Sequence, residues 1–146
     1  MLKPKYLIIH HSASASNTTV EDIRKWHKDK GWSDIGYHKI IYQDGSIHQG
    51  REDTVIGAQA FGANSVSLGI CCIGNFEINE VPNPIINSLI QVLATLCKRH
   101  NIPVKNIIGH YQVSTMFNSP AGSSGCPGKN MIKKIDEIKK RVQEYL

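Results

Sequence analysis

At 146 residues, with 40% hydrophobic and 20% charged positions, the chain is long enough to bury a sizeable core and has the composition of an ordinary globular domain. Its four cysteines lack the spacing of a disulfide framework, which argues against a small cross-linked secreted fold, and no apolar run approaches a membrane span. A net charge of +5 at pH 7 favours a polyanionic partner, either nucleic acid or an acidic cell-wall polymer.

Met1-Leu2-Lys3-Pro4-Lys5 is basic, but the apolar run behind it stops at His10-His11, too soon for a signal-peptide core. Synthesis in the bacterial cytoplasm without a signal peptide is therefore expected. Tyr6 to Ile9 reads as a strand with His10 at its end. Thr18-x-x-Glu21 reads as a capping box, and Val20, Ile23, Trp26 and His27 then recur at helical spacing up to Gly31. Tyr37 to Gln43 and Ser46 to Gln49 flank Asp44-Gly45, a two-residue hairpin signal. That turn predicts pairing of 42 with 47, 40 with 49 and 38 with 51. His38 then shares a face with Arg51, while Tyr37 and His48 point to the other.

A Gly/Ala/Asn-rich loop from Gly57 to Ser65 leads into a buried strand, Ser67 to Ile73, which carries Cys71 and Cys72. Ile86, Leu89, Ile90, Leu93, Leu96 and Cys97 mark a helix that stops before Pro103. Val104 to Gly109 reads as the next strand, and Tyr111 to Cys126 as a long irregular loop. Met131, Ile132, Ile135, Ile138, Val142 and Tyr145 form the stripe of a C-terminal helix. Its other side carries Lys129, Lys133, Lys134, Lys139, Lys140 and Arg141, the pattern of a solvated face. Alternating strands and helices with one hairpin predict an α/β fold: a single domain over 1–146 with a central mixed sheet flanked by helices.

The chemistry concentrates at His10, His110 and Cys126. His110 follows the run Ile107-Ile108-Gly109, and Cys126 precedes Pro127 in a Gly/Ser/Pro-rich loop. Two imidazoles and a thiolate can supply three tetrahedral ligands to zinc, leaving a fourth position open, as in catalytic rather than structural zinc sites. Adjacent strand residues face opposite ways, so only one of His10 and His11 can be the first ligand. His27 and His100 read as helix-surface residues and His48 as a hairpin residue. His38 reads either as a support of the site or as packed against Arg51. Tyr37, taken alone, reads as a core aromatic.

In this order the residues resemble the zinc-dependent N-acetylmuramoyl-L-alanine amidases, which include phage-lysozyme-type amidases and the peptidoglycan recognition proteins. The resemblance runs through Ile8-Ile9-His10-His11-Ser12-Ala13, Ile23-Arg24-Lys25-Trp26-His27-Lys28, Gly31-Trp32 and Gly36-Tyr37-His38. It continues with Asp44-Gly45, Gly50-Arg51, Asn64, Leu68-Gly69-Ile70, Gly109-His110 and Cys126-Pro127. It implies that one Zn2+ per chain is held by His10, His110 and Cys126, with His10 preferred over His11. It further implies a zinc-bound water of pKa near 7, and Tyr37 as the catalytic tyrosine that hydrogen-bonds the developing oxyanion.

Two positions depart from the phage-type pattern. Ser124 stands where those members carry a catalytic lysine, so its hydroxyl is expected to take part of that role; recognition-protein amidases resemble this chain in having a hydroxyl residue there. Gln59 stands where phage-type members often have histidine, which bears on substrate contacts. The insert Asn118-Ser119-Pro120-Ala121-Gly122 is expected to form part of the cleft wall, and no role falls to Lys129.

The implied activity is hydrolysis of the amide between N-acetylmuramic acid and L-alanine in peptidoglycan, by a monomer that reaches the cell wall after holin-type release. The competing reading is a peptidoglycan-binding module without catalysis. Receptors of that kind typically lack the cysteine ligand, so Cys126 favours the enzyme. Nucleic-acid binding has only the basic charge behind it and no recognisable motif, and no membrane insertion is expected.

Overall fold

A computed structural model of the chain describes residues 1–120 and 124–146. Five strands form one mixed sheet in the order β3-β2-β4-β1-β5. Its members are β1 (Tyr6–His11), β2 (Lys39–Ile41), β3 (Ile47–Gln49), β4 (Ser67–Cys72) and β5 (Ile107–Gly109). All neighbours are parallel except the β2–β3 hairpin. The helices are α1 (Val20–Asp29), α2 (Asn83–His100), the short α3 (Val113–Met116) and α4 (Lys129–Ile132), and α5 (Ile135–Glu144). None among the described residues is long and apolar enough to cross a membrane.

Strand alternation sorts the central strands onto two faces. Leu7 and Ile9 of β1, with Leu68, Ile70 and Cys72 of β4, join Leu89, Leu93 and Leu96 of α2 and Ile138 and Val142 of α5 in the main core. Ile8 faces the other way, onto Ala60, Ala63, Ile108 and Val113. Cys71 also lies on that side of the sheet, with Val20 and Ile23 of α1. β1 is thus buried on both faces, which is why its sequence is a continuous apolar run rather than an alternating one.

Several local details depart from the sequence expectation. The helix cap is Thr19, one residue later than expected, and its reciprocal partner is Asp22. Thr18 is buried instead. Trp26 is 44% exposed, so the apolar face of α1 is Val20, Ile23 and His27.

The hairpin pairs 41 with 47, 40 with 48 and 39 with 49, one residue out of the predicted register. The loop holds three residues: Gly45 N donates to Tyr42 O at 2.9 Å and Gly45 takes φ +88°. This is a type I turn closed by a left-handed glycine, the alternative to a two-residue turn. Asp44 Oδ1 accepts from Ser46 N at 2.8 Å and helps fix it. Tyr37 and His38 precede β2 rather than belonging to it. Arg51 donates to Ile35 O and Ile56 O, both at 2.8 Å, and acts on His38 through its charge rather than through a hydrogen bond.

Three further differences lie in the second half. β5 begins only at Ile107, because Val104–Asn106 form a 3-10 turn behind Pro103. The stretch after His110 is not irregular throughout, since α3 buries Val113 against Ile8 and Ile108. The C-terminal stripe is divided between α4 and α5, with Tyr145 57% exposed at its end.

Candidate metal centre

β1 lies between β4 and β5, with His10 level with Cys71 and Ile9 level with Gly109. His10 leaves the sheet on the Ile8 face and is almost completely buried. His11 leaves on the opposite face, where its Nδ1 accepts from Phe76 N at 3.0 Å and its ring lies 6.0 Å from that of Phe76. His110 follows β5 directly and brings its ring centroid within 4.6 Å of that of His10.

Cys126 is carried in by the loop after α3. Its carbonyl accepts from Tyr111 N at 2.8 Å, its amide donates to Ser124 Oγ at 3.1 Å, and its Sγ accepts from His11 N at 3.3 Å. His11 therefore contributes to the centre through its backbone, while its ring serves the core.

One donor atom from each of His10, His110 and Cys126 lies within 4.8 Å of the other two. His10 Nδ1 is 3.7 Å from Cys126 Sγ. A tetrahedral zinc with nitrogen and sulfur ligands spaces them about 3.5 Å apart, so this donor set fits such an ion with little adjustment. Burial, the His110 ring and His11 hold His10 well below the ordinary imidazole pKa, partly opposed by its Gln59 hydrogen bond. Burial lowers His110 as well. Both rings are thus neutral near pH 7, the form that binds a metal. Burial pushes the Cys126 thiol up to about 12, opposed by the His11 amide; a coordinated thiol would instead be deprotonated.

Beside the cluster opens a cleft of about 420 Å3, lined by His27, Lys30, Trp32, Tyr37, Gln59, Phe61 and His110. The Tyr37 ring lies 5.0 Å from that of His10 and 5.5 Å from that of His27. Burial, then the neighbouring Cys71 and Cys126 thiols, raise its phenol well above the usual value, so it is a proton-bearing donor at neutral pH.

A family model described as N-acetylmuramoyl-L-alanine amidase matches residues 1–129. The chain belongs to the N-acetylmuramoyl-L-alanine amidase family. The endolysin of Escherichia phage T7 is 35% identical to this amidase over 116 residues, covering 74% of the chain and 75% of the phage protein. Peptidoglycan-recognition protein SC2 of Drosophila melanogaster is 35% identical over 139 residues, 89% of this chain and 71% of that one. The solved structure of the N-acetylmuramoyl-L-alanine amidase LysC from Clostridium intestinale URNW superposes with a TM-score of 0.86 at 32% identity, over 97% of this chain and 87% of that one. The amidase fold and the amide-hydrolase class expected from the sequence are both met.

Within the amidase cleft one expectation fails. His27 is not a helix-surface residue: it is 8% exposed, its Nδ1 accepts from Gly36 N at 2.8 Å, and its ring packs 4.6 Å from Trp32. Burial, then Lys30 and Arg51, lower its pKa to about 4 from 6.5. The unfolded chain therefore binds more protons in this interval, and stability rises with pH across it. His27's contribution is complete above about pH 6.5 and is lost as pH falls towards 4. Its size, discounted for partial solvation, is roughly 2 kcal/mol. Denaturant melts from pH 7 to 4.5 are expected to show a shallower loss of stability in His27→Gln than in wild type; identical slopes would assign the acid sensitivity to the other buried histidines.

Two of the three remaining histidines have structural partners. His38 Nδ1 accepts from Gly69 N at 3.1 Å while its Nε2 bonds Val55 O at 2.7 Å, and His48 stacks on Tyr42 at 3.8 Å. His100, at the end of α2, is partly buried, and its Nε2 has no hydrogen-bond partner among the described residues. Lys129 begins α4 with an exposed side chain. Of the expected cleft-wall insert, Ser119 Oγ donates to Phe61 O at 2.7 Å, whereas Ala121 and Gly122 lie outside the described residues. The sequence assigns Gln59 a bearing on substrate contacts only, yet its side chain turns to His10. An amide belongs to no metal-ligand pattern, so spacing gave no signal for it.

Proposed function

We propose that this amidase is zinc-dependent, with His10, His110 and Cys126 as ligands, Tyr37 and Ser124 as catalytic residues, and residues 1–146 acting as one catalytic domain. The observation that carries the reading is the convergence of one thiol and two neutral imidazoles on a point beside an open cleft. A bound zinc supplies Lewis acidity, polarising a carbonyl and making water more acidic.

The protein groups then have distinct tasks. The cleft walls Trp32 and Phe61 offer apolar contact, and Lys30 a positive charge, to a muramyl peptide whose lactyl–alanine amide reaches His110. Tyr37 donates its phenolic hydrogen to the oxygen that gains charge as the carbonyl becomes tetrahedral. A phenol suits this because burial keeps it protonated at neutral pH, with a hydrogen to donate.

Ser124 Oγ already accepts from Cys126 N at 3.1 Å, which leaves its own hydrogen available to donate. A neutral donor stabilises an oxyanion by roughly half as much as a charged one. Ser124→Ala is expected to lower turnover by about tenfold, one modest hydrogen bond, with zinc content unchanged. Turnover equal to wild type would reduce Ser124 to a brace for the cysteine loop.

The alternative of a binding module without catalysis finds no support in the cluster, whose thiol is present and aimed at His10. The substrate reading places the site of action at the cell wall; release by a holin-type partner and a monomeric state complete the proposal. The direct test measures zinc content of the purified chain together with release of L-alanine amino termini from cell walls. Stoichiometric zinc with new amino termini is expected, and wall binding without their release would favour the binding module.

A further inference from the structure

The His10 ring is held from behind by a row of hydrogen bonds whose directions can all be fixed. Gln59 is 8% exposed, and its Oε1 lies 2.5 Å from His10 Nε2. Its Nε2 donates to Ser67 Oγ at 2.8 Å, and Ser67 Oγ donates to Ala63 O at 2.7 Å. A carbonyl oxygen only accepts, so the serine hydrogen is used on Ala63 and the hydroxyl must accept from Gln59. The amide nitrogen therefore faces Ser67 and the amide oxygen faces His10. That oxygen also only accepts, so His10 Nε2 carries the ring hydrogen and the lone pair sits on Nδ1. Nδ1 is the nitrogen that faces Cys126 Sγ, 3.7 Å away.

The surroundings are shaped for this amide. Asn64 Oδ1 accepts from both Gln59 N and Ala60 N, at 2.9 and 2.8 Å, and fixes the loop on which Gln59 stands. Gly69 of β4 leaves the slot open: a Cβ there would lie 2.6 Å from Gln59 Cγ and 2.7 Å from its Oε1. A glutamine is suited to the row because it donates at one end, accepts at the other and stays neutral. A carboxylate in its place would add negative charge beside the centre and offer Ser67 no hydrogen.

We propose that Gln59 is a positioning residue of the metal centre, holding His10 in the tautomer and ring orientation that present Nδ1 to the ion. The inference rests on the zinc reading above and concerns how one ligand is prepared. Partners behind a metal-bound histidine typically contribute 10- to 100-fold to metal affinity, and that is the size of effect to look for.

The test uses the chain of residues 1–146. Zinc affinity is measured by competition with a chromogenic chelator, and the His10 ring hydrogen of the zinc-loaded protein is followed in nitrogen-edited spectra. Gln59→Met, which removes the acceptor while keeping bulk, is expected to weaken zinc binding by roughly 10- to 100-fold. The His10 Nε2 hydrogen is expected to lose its hydrogen-bond shift and exchange faster with water. Gln59→Glu restores the acceptor and is expected to recover most of the affinity. If Gln59→Met does not fold, Gly69→Ala serves, since its methyl displaces the amide and is expected to weaken zinc in the same direction.

A role in packing alone would lower the melting temperature and leave the affinity and the ring signal of the folded variant at wild-type values; that result overturns the inference. Failure of the wild type to bind stoichiometric zinc would overturn the metal reading instead, which separates the two.

Discussion

Cys126→Ala is expected to abolish stoichiometric zinc binding and to lower amidase turnover by roughly a thousandfold or more. The thiol is the one soft donor of the cluster, and its removal leaves two imidazoles, too few for a tetrahedral protein site. Metal activation of this kind contributes several kcal/mol to a transition state, and each 1.36 kcal/mol is a factor of ten. Folding should survive, because the Cys126 backbone keeps its bond from Tyr111 N and its own bond to Ser124.

The informative control is His11→Ala. The His11 ring faces Phe76, and removing it leaves the Phe76 amide without its acceptor, at about 1–3 kcal/mol of stability. It should leave the metal in place. Full zinc occupancy in Cys126→Ala with loss in His11→Ala would show that the wrong members of the cluster have been chosen.

Tyr37→Phe carries the second large effect, a fall in turnover of roughly ten- to a thousandfold, the scale of losing one oxyanion donor. The ring itself packs beside Val20, Ile23, Ile35 and Ile40, and phenylalanine preserves that packing. Melting temperature and zinc content should therefore barely move. The phenol's raised pKa gives a second signature. Since Tyr37 stays protonated through neutral and mildly alkaline pH, wild type should show no loss of rate from its ionisation there. Wild-type turnover in Tyr37→Phe would make Tyr37 a core aromatic and nothing more.

The parts of this molecule legible in sequence were those written in period and order. Continuous apolar runs marked β1 and β4 because both are buried on two faces, and the stripes of α2 and α5 gave the helices that cover one of them. The alternation of β1 reduced the first ligand to His10 or His11, and family likeness chose between them. What period does not carry was lost. Asp44-Gly45 is compatible with two turn geometries that differ by one residue of register, and only the strand partners decide between them. Thr18 and Thr19 are equal as caps until one of them is buried. His27 looked like a surface residue because nothing local announces that Gly36 and Trp32 will fold back over it. Gln59 meets His10 across 49 residues through a loop, a contact without any local signature.

On the zinc reading, the order of the three donors along the chain bears on when activity can appear. His10 is made early and settles between strands, but the donor set spans 116 residues and closes only with Cys126. Just after it, the start of α4 is tied down by Asn130 N to Phe76 O at 2.9 Å and by Asn130 Nδ2 to Asn79 O at 3.0 Å. Because chains emerge and fold from the N-terminus, a nascent polypeptide carries most of the cleft while still lacking its thiolate. On the zinc reading, a chain that has not yet added Cys126 is expected to hold the two imidazoles and to lack amidase activity.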